Sequence, residues 1–88
     1  MVNWKLVFTK EAQKDAKKIA AAGLKSKTES LLAILAENPY QNYPPYEKLK
    51  GDLTGAYSRR INVQHRLVYA ILDSIKTIKV IRMWTHYE

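Results

Sequence analysis

The sequence predicts an α+β fold: an antiparallel sheet, made of an N-terminal strand plus three C-terminal strands, with a two-helix hairpin packed on one face. Three observations carry this. A stretch of period two opens the chain, two helical stretches separated by only a few residues follow, and three extended runs come after a loop rich in proline and tyrosine. At 88 residues the chain is read as one domain, 1–88, with room for one modest core.

Residues 2–8 alternate, with Trp4, Leu6 and Phe8 on one side and Asn3, Lys5 and Val7 on the other, as a half-buried strand does. Thr9 is placed to cap a helix whose narrow apolar stripe is Ala12, Ala16, Ile19 and Ala20. Gly23 ends it, because a helix commonly stops on a residue in the left-handed region. Ser26-Lys27-Thr28-Glu29 fits a capping box for a second helix, with Leu31, Leu32, Ile34 and Leu35 as its buried face and Asn38-Pro39 as its stop. Residues 40–46 form a loop whose three tyrosines either stack on bases or pack within the protein. Strands are expected over 56–62, 65–72 and 75–84, the last two joined tightly at Asp73-Ser74.

A hydrophobic fraction of 47% is that of a folded protein rather than a disordered chain. With no cysteine, disulfides, thiolate chemistry and cysteine-ligated zinc are excluded. No secretory leader is legible, and the apolar run 67–72 is far short of the ~20 residues that span a bilayer, so a cytoplasmic protein without a membrane partner is expected. A formal net charge of +7 suggests a polyanionic partner, nucleic acid or an acidic protein, although a solvated basic surface gives the same number. The distribution separates the two halves. All seven basic residues before Glu47 are lysines, whereas Arg59, Arg60, Arg66 and Arg82, with both histidines, come after it. Arginine suits bidentate phosphate contact, so the C-terminal half reads as the site and the N-terminal half as scaffold.

Arg66 lies inside an apolar strand, which asks for a partner. Either it pairs with a carboxylate such as Glu47 or Asp52, or it holds a phosphate on the helix-free face of the sheet. Cleavage of RNA without metal needs a base for the 2′-hydroxyl, an acid for the leaving 5′-oxygen, and cations for the charge that grows on the phosphorane. Glu47, His86 and the cluster Arg59, Arg60 and Arg66 supply these residue types. The acidic residues form no close pair and no H-E-x-x-H motif exists, so neither a metal nor another cofactor is expected.

The run from Tyr46 to Ile61 has the form E-x-L-x-x-x-L-x-G-x-x-S-R-R and is followed by His65-Arg66-Leu67-Val68-Tyr69 and, later, Thr85-His86-Tyr87. This resembles the hallmark region of YoeB/Txe-type toxins within the RelE superfamily, densely over residues 46–73 and 82–87. The resemblance implies a RelE-like fold and the toxin of a toxin–antitoxin pair, an endoribonuclease that cuts mRNA in the ribosomal A site. It also implies roles: Glu47 as general base, His86 as general acid, Arg66 on the scissile phosphate, Lys50, Arg59 and Arg60 on RNA, and Tyr87 beside a base. The partners implied are the ribosome with its mRNA and a YefM/Axe-like antitoxin whose toxin-binding C-terminal segment is acidic and disordered; a homodimer is compatible with it. Trp84 stands where the family often carries an arginine, with Arg82 two positions earlier, and Thr85 replaces an aromatic. The rivals are a non-catalytic RNA- or ribosome-binding module and a fold relative that poisons another target, such as a topoisomerase, by protein contacts.

Overall fold

In the computed structural model, β1 (Lys5–Phe8) leads into α1 (Lys10–Ala21) and α2 (Lys25–Glu37), followed by β2 (Tyr46–Lys48), β3 (Ala56–Arg60), β4 (His65–Leu72) and β5 (Thr77–His86). The described residues are 4–41, 45–49 and 55–86, with residues 85 and 86 described by backbone alone. Among them the five strands form one sheet in the order β1-β5-β4-β3-β2. The class is therefore as expected, with two changes. The sheet is mixed, because β1 runs parallel to β5, Lys5 opposite Thr77 and Phe8 opposite Val80. It also gains β2, antiparallel to β3, of which Tyr46 was read as the end of the loop and the next two residues as no element.

Thr9 caps α1 as its position suggests: its hydroxyl accepts from the Ala12 N–H at 3.0 Å and donates to the Ile81 carbonyl at 2.8 Å, tying the helix start to β5. At the other end Gly23 takes φ +75°. The Gly23 N–H then reaches the Ala20 carbonyl and the Leu24 N–H the Ile19 carbonyl, which satisfies two carbonyls that the helix leaves open. That turn delivers Leu24 straight into α2. Leu24 becomes the N-cap, without a side-chain bond, and Ser26 falls inside the helix, so the expected capping box does not form. Between β3 and β4 the Asn62 side chain accepts from the Gln64 and His65 N–H groups at 2.9 and 2.7 Å. The β4–β5 connection is longer than a two-residue hairpin: a 3₁₀ turn at Asp73–Ile75 precedes Lys76, which adopts φ +46°.

The helices cover the face of the sheet that carries Leu67, Tyr69, Ile78 and Val80, and Ala12, Ile19, Leu31 and Leu35 pack into that core. Within α1 the buried positions are Ala12, Asp15 and Ile19, so a carboxylate enters the stripe where Ala16 and Ala20 were expected. Its acceptors are filled completely enough to explain the burial. Asp15, 1% exposed, takes the Arg82 Nε at 2.8 Å and the backbone N–H groups of Met83 and Trp84 at 3.0 and 3.1 Å. Burial pushes this carboxyl upward, but the bonds from Arg82, Met83 and Trp84 outweigh it and hold the group below the ordinary aspartate value. The same pair pulls the Arg82 guanidinium further up. Arg82 is thus a bracket between α1 and β5.

Candidate active site

Cross-strand partners share a face of a sheet. Glu47 is opposite Ser58, Ser58 opposite Val68, and Arg60 opposite Arg66, so Glu47, Ser58, Arg60 and Arg66 belong to one face. The register then continues onto β5, where Arg66 is opposite Thr85 and His65 opposite His86. Irregular pairing around residues 66–69 interrupts the strict alternation of β4, which is why Val68 is buried together with its neighbours Leu67 and Tyr69.

On that face the Arg66 Nη1 meets the Glu47 Oε1 at 3.1 Å. Arg66 is largely enclosed, with 16% of its side chain exposed, while Glu47 is 66% exposed. The pair sits in a cleft of about 760 Å³ that Lys27, Ser58, Arg60 and the Ile61–Val63 turn also line. Three cations and one carboxylate converge on a space of that size, which suits a phosphate-bearing chain and a proton acceptor beside it. Of the two readings of Arg66, the ion pair is what the structure contains. The phosphate-holding reading is compatible with it, because an incoming phosphate competes for the same guanidinium. Lys27, from the first turn of α2, was missed: a single lysine on a helix carries no signal of direction.

Arg59 departs from its expected place. It is 0% exposed, and its Nε donates to the Tyr69 hydroxyl at 3.0 Å while Nη2 donates to the Pro39 and Gln41 carbonyls at 3.0 and 2.6 Å. Its guanidinium also lies 5.1 Å from the centre of the Tyr46 ring. A group so enclosed has no surface for RNA. Arg59 and Arg60 are neighbours in sequence, but strand parity sends one inward and leaves the other exposed. Burial holds the Tyr69 phenol above its ordinary value against the opposing pull of Arg59. Arg59→Ala is expected to lower stability by about 2–4 kcal/mol, since it strands the buried Tyr69 hydroxyl and the Pro39 carbonyl, whereas Arg60→Ala should melt within a few degrees of wild type. Thermal denaturation followed by circular dichroism compares them; equal melting temperatures would refute the distinction.

The described tyrosines are occupied within the protein. Tyr40 donates to both carboxylate oxygens of Asp73, at 2.8 and 2.7 Å, and that bond raises its phenol to about 12. Tyr46 meets Tyr57 edge-on at 5.5 Å, and Tyr57 stacks on Tyr69 at 5.9 Å. Trp84, where the resemblance leads one to look for an arginine, stacks on the buried His65 ring at 3.8 Å. The His86 side chain, Lys50, Tyr43 and Tyr87 lie outside the described residues, and so does Asp52. Among the described residues no group of three His, Asp or Glu side chains is gathered that could hold a metal ion, and no helix is long and apolar enough to cross a membrane.

Comparison with known proteins identifies the family. The model of the YoeB-like toxins of bacterial type II toxin–antitoxin systems matches residues 8–87. A toxin YoeB from Synechocystis is 40% identical over 58 residues, 66% of this chain and 65% of that protein; the match thus spans just under two thirds of the relative's length. A solved YoeB/ParE toxin from Agrobacterium tumefaciens superposes with a TM-score of 0.84 at 33% identity, covering 94% of this chain and 99% of that one. Staphylococcus aureus YoeB in its complex with YefM gives 0.79 at 36% identity over 96% of this chain and 98% of that one, and it has also been solved as a dimer, with 0.81 at 35% over 97% and 99%. With the family model matching residues 8–87 and the fold in agreement over nearly the whole length, this chain belongs to the YoeB-like toxins of bacterial type II toxin–antitoxin systems.

Proposed function

We propose that this toxin is a cytoplasmic endoribonuclease that cleaves mRNA in the ribosomal A site by acid–base chemistry without a metal ion, and so blocks translation. The observation that supports it most is the Arg66–Glu47 contact at 3.1 Å inside a cleft lined by Lys27 and Arg60. Glu47 is exposed enough to receive a proton, and Arg66 is enclosed enough to act where little water screens it. The scissile phosphate takes over the Arg66 guanidinium. Glu47 then removes the 2′-hydroxyl proton, the 2′-oxygen attacks phosphorus, and the bond to the 5′-oxygen breaks as His86 supplies its proton. Arg66 and Arg60 face the charge that collects on the phosphorane oxygens. Lys50 and Tyr87 are assigned to RNA contact on the resemblance of their sequence positions. A YefM-like antitoxin with an acidic segment is the partner that would cover this basic cleft, and self-association as a dimer is included in the reading.

The upstream product is expected to end in a 2′,3′-cyclic phosphate. A sulfur placed on the scissile phosphate should gain no rescue from Mn²⁺, since a metal-bound oxygen would prefer the softer ion once replaced by sulfur. Single-turnover cleavage on programmed ribosomes with end-group analysis tests both. A 3′-hydroxyl end, or clear Mn²⁺ rescue, would overturn the mechanism.

A further inference from the structure

Ser58 is 1% exposed, and its hydroxyl has no hydrogen-bond partner among the described residues. A hydroxyl left so inside a fold is unfavourable, and alanine fits the same space without that penalty. Its surroundings narrow the explanation. Its two cross-strand partners are Val68, which is apolar, and Glu47, and it lines the cleft in which Glu47 meets Arg66. Directly opposed residues hold their Cβ atoms about 4.5–5.5 Å apart, a span that a glutamate carboxylate and a serine hydroxyl close between them. In the structure the carboxylate instead leans on Arg66.

We infer that Ser58 is a positioning residue for Glu47: when a substrate phosphate takes Arg66, the Glu47 carboxylate turns to accept a hydrogen bond from the Ser58 hydroxyl, which fixes it as the base. The inference rests on the proposed reaction and deepens it. Before substrate arrives, Arg66 restrains Glu47. Afterwards Ser58 does so, from beneath, where water does not compete. A flexible and mostly exposed carboxylate is thereby held in one orientation at the moment it must take a proton, and orientation of this kind is worth a large factor in rate. Ser58 itself need not touch RNA, in keeping with its burial.

The test uses the full chain on programmed ribosomes at single turnover, with Ser58→Ala, Glu47→Ala and the double variant. Ser58→Ala should melt at or above the wild-type temperature, cleave about 10- to 100-fold more slowly at saturation, and reach half-saturation at an unchanged ribosome concentration. In the Glu47→Ala background the same change should add nothing, because the group it positions is gone. A Ser58→Ala rate equal to wild type, beside a slow Glu47→Ala, would overturn the role of Ser58 and leave the reaction standing. So would a loss that persists undiminished in the double variant, the mark of a merely structural effect. A Glu47→Ala protein as fast as wild type would remove the base, and with it the role of Ser58.

Discussion

A message with a single 2′-deoxy nucleotide at the scissile position is expected to bind this toxin on the ribosome and to remain uncut. The 2′-hydroxyl is the nucleophile of the proposed reaction, so its removal takes away the attacking atom and leaves the phosphate contacts in place. Arg60, Lys27 and Arg66 line the cleft irrespective of that hydroxyl, so affinity should stay near wild type and weaken with salt in the ordinary electrostatic way. Its counterpart on the protein is His86→Gln. This change should leave the melting temperature in place and slow cleavage by ~10²–10⁴-fold, the usual worth of a general acid. Scission of the deoxy message by the wild-type protein would mean that water is the nucleophile, and the reading of Glu47 and His86 would have to be abandoned.

The largest stability effect is expected at Asp15. Asp15→Ala removes the acceptor of the Arg82 Nε and of the Met83 and Trp84 N–H groups at one stroke. Arg82, with 40% of its side chain exposed, can turn to water, but the two backbone N–H groups lose a charged, buried acceptor, and the whole costs about 3–5 kcal/mol. For a domain of this size that corresponds to at least about 12 °C in melting temperature. The pH dependence follows from the direction of the shift. Because the folded carboxyl lies below its unfolded value of roughly 3.9, the stabilisation is complete above that value and fades as the pH falls through the lower, folded one. Wild-type stability should therefore drop in strong acid by an amount that Asp15→Asn does not show. Chemical denaturation of both proteins between neutral and strongly acidic pH measures it, and parallel curves would exclude Asp15 as the source.

Asp15 also marks a limit of reading the chain. Positions 12, 15 and 19 follow one helical stripe as well as 12, 16 and 19 do, and hydrophobicity alone favours the alanine. Only the partners, more than sixty residues away, reveal why a carboxylate belongs there. The strands expected over 56–62 and 65–72 form at 56–60 and 65–72; the apolar run of the second was legible because it is a local property, and so was the Thr9 cap. The parallel pairing of β1 with β5 has no local signature at all. β2 is three residues long and follows prolines, too short to show a period. Within the site, Glu47 and Arg66 could be named from their residue types, and the structure brings them together. Arg59 could not be told from Arg60, since pairing register, which no single strand encodes, decides which of two adjacent arginines is enclosed.

The position of β5 between β1 and β4 has a consequence for the order in which this protein can form. The β3–β4 and β4–β5 hairpins close over short loops, whereas β1 can join the sheet only by pairing with residues some seventy positions downstream. Loop-closure entropy delays such contacts until the intervening chain has been organised. Until residues 77–84 are in place, Lys5–Phe8 has no strand to join, and Asp15 is a carboxylate with neither a guanidinium nor a backbone amide to receive it. The helical hairpin thus has no finished surface to dock on before the last strand arrives, and β5 ties both layers of the scaffold together.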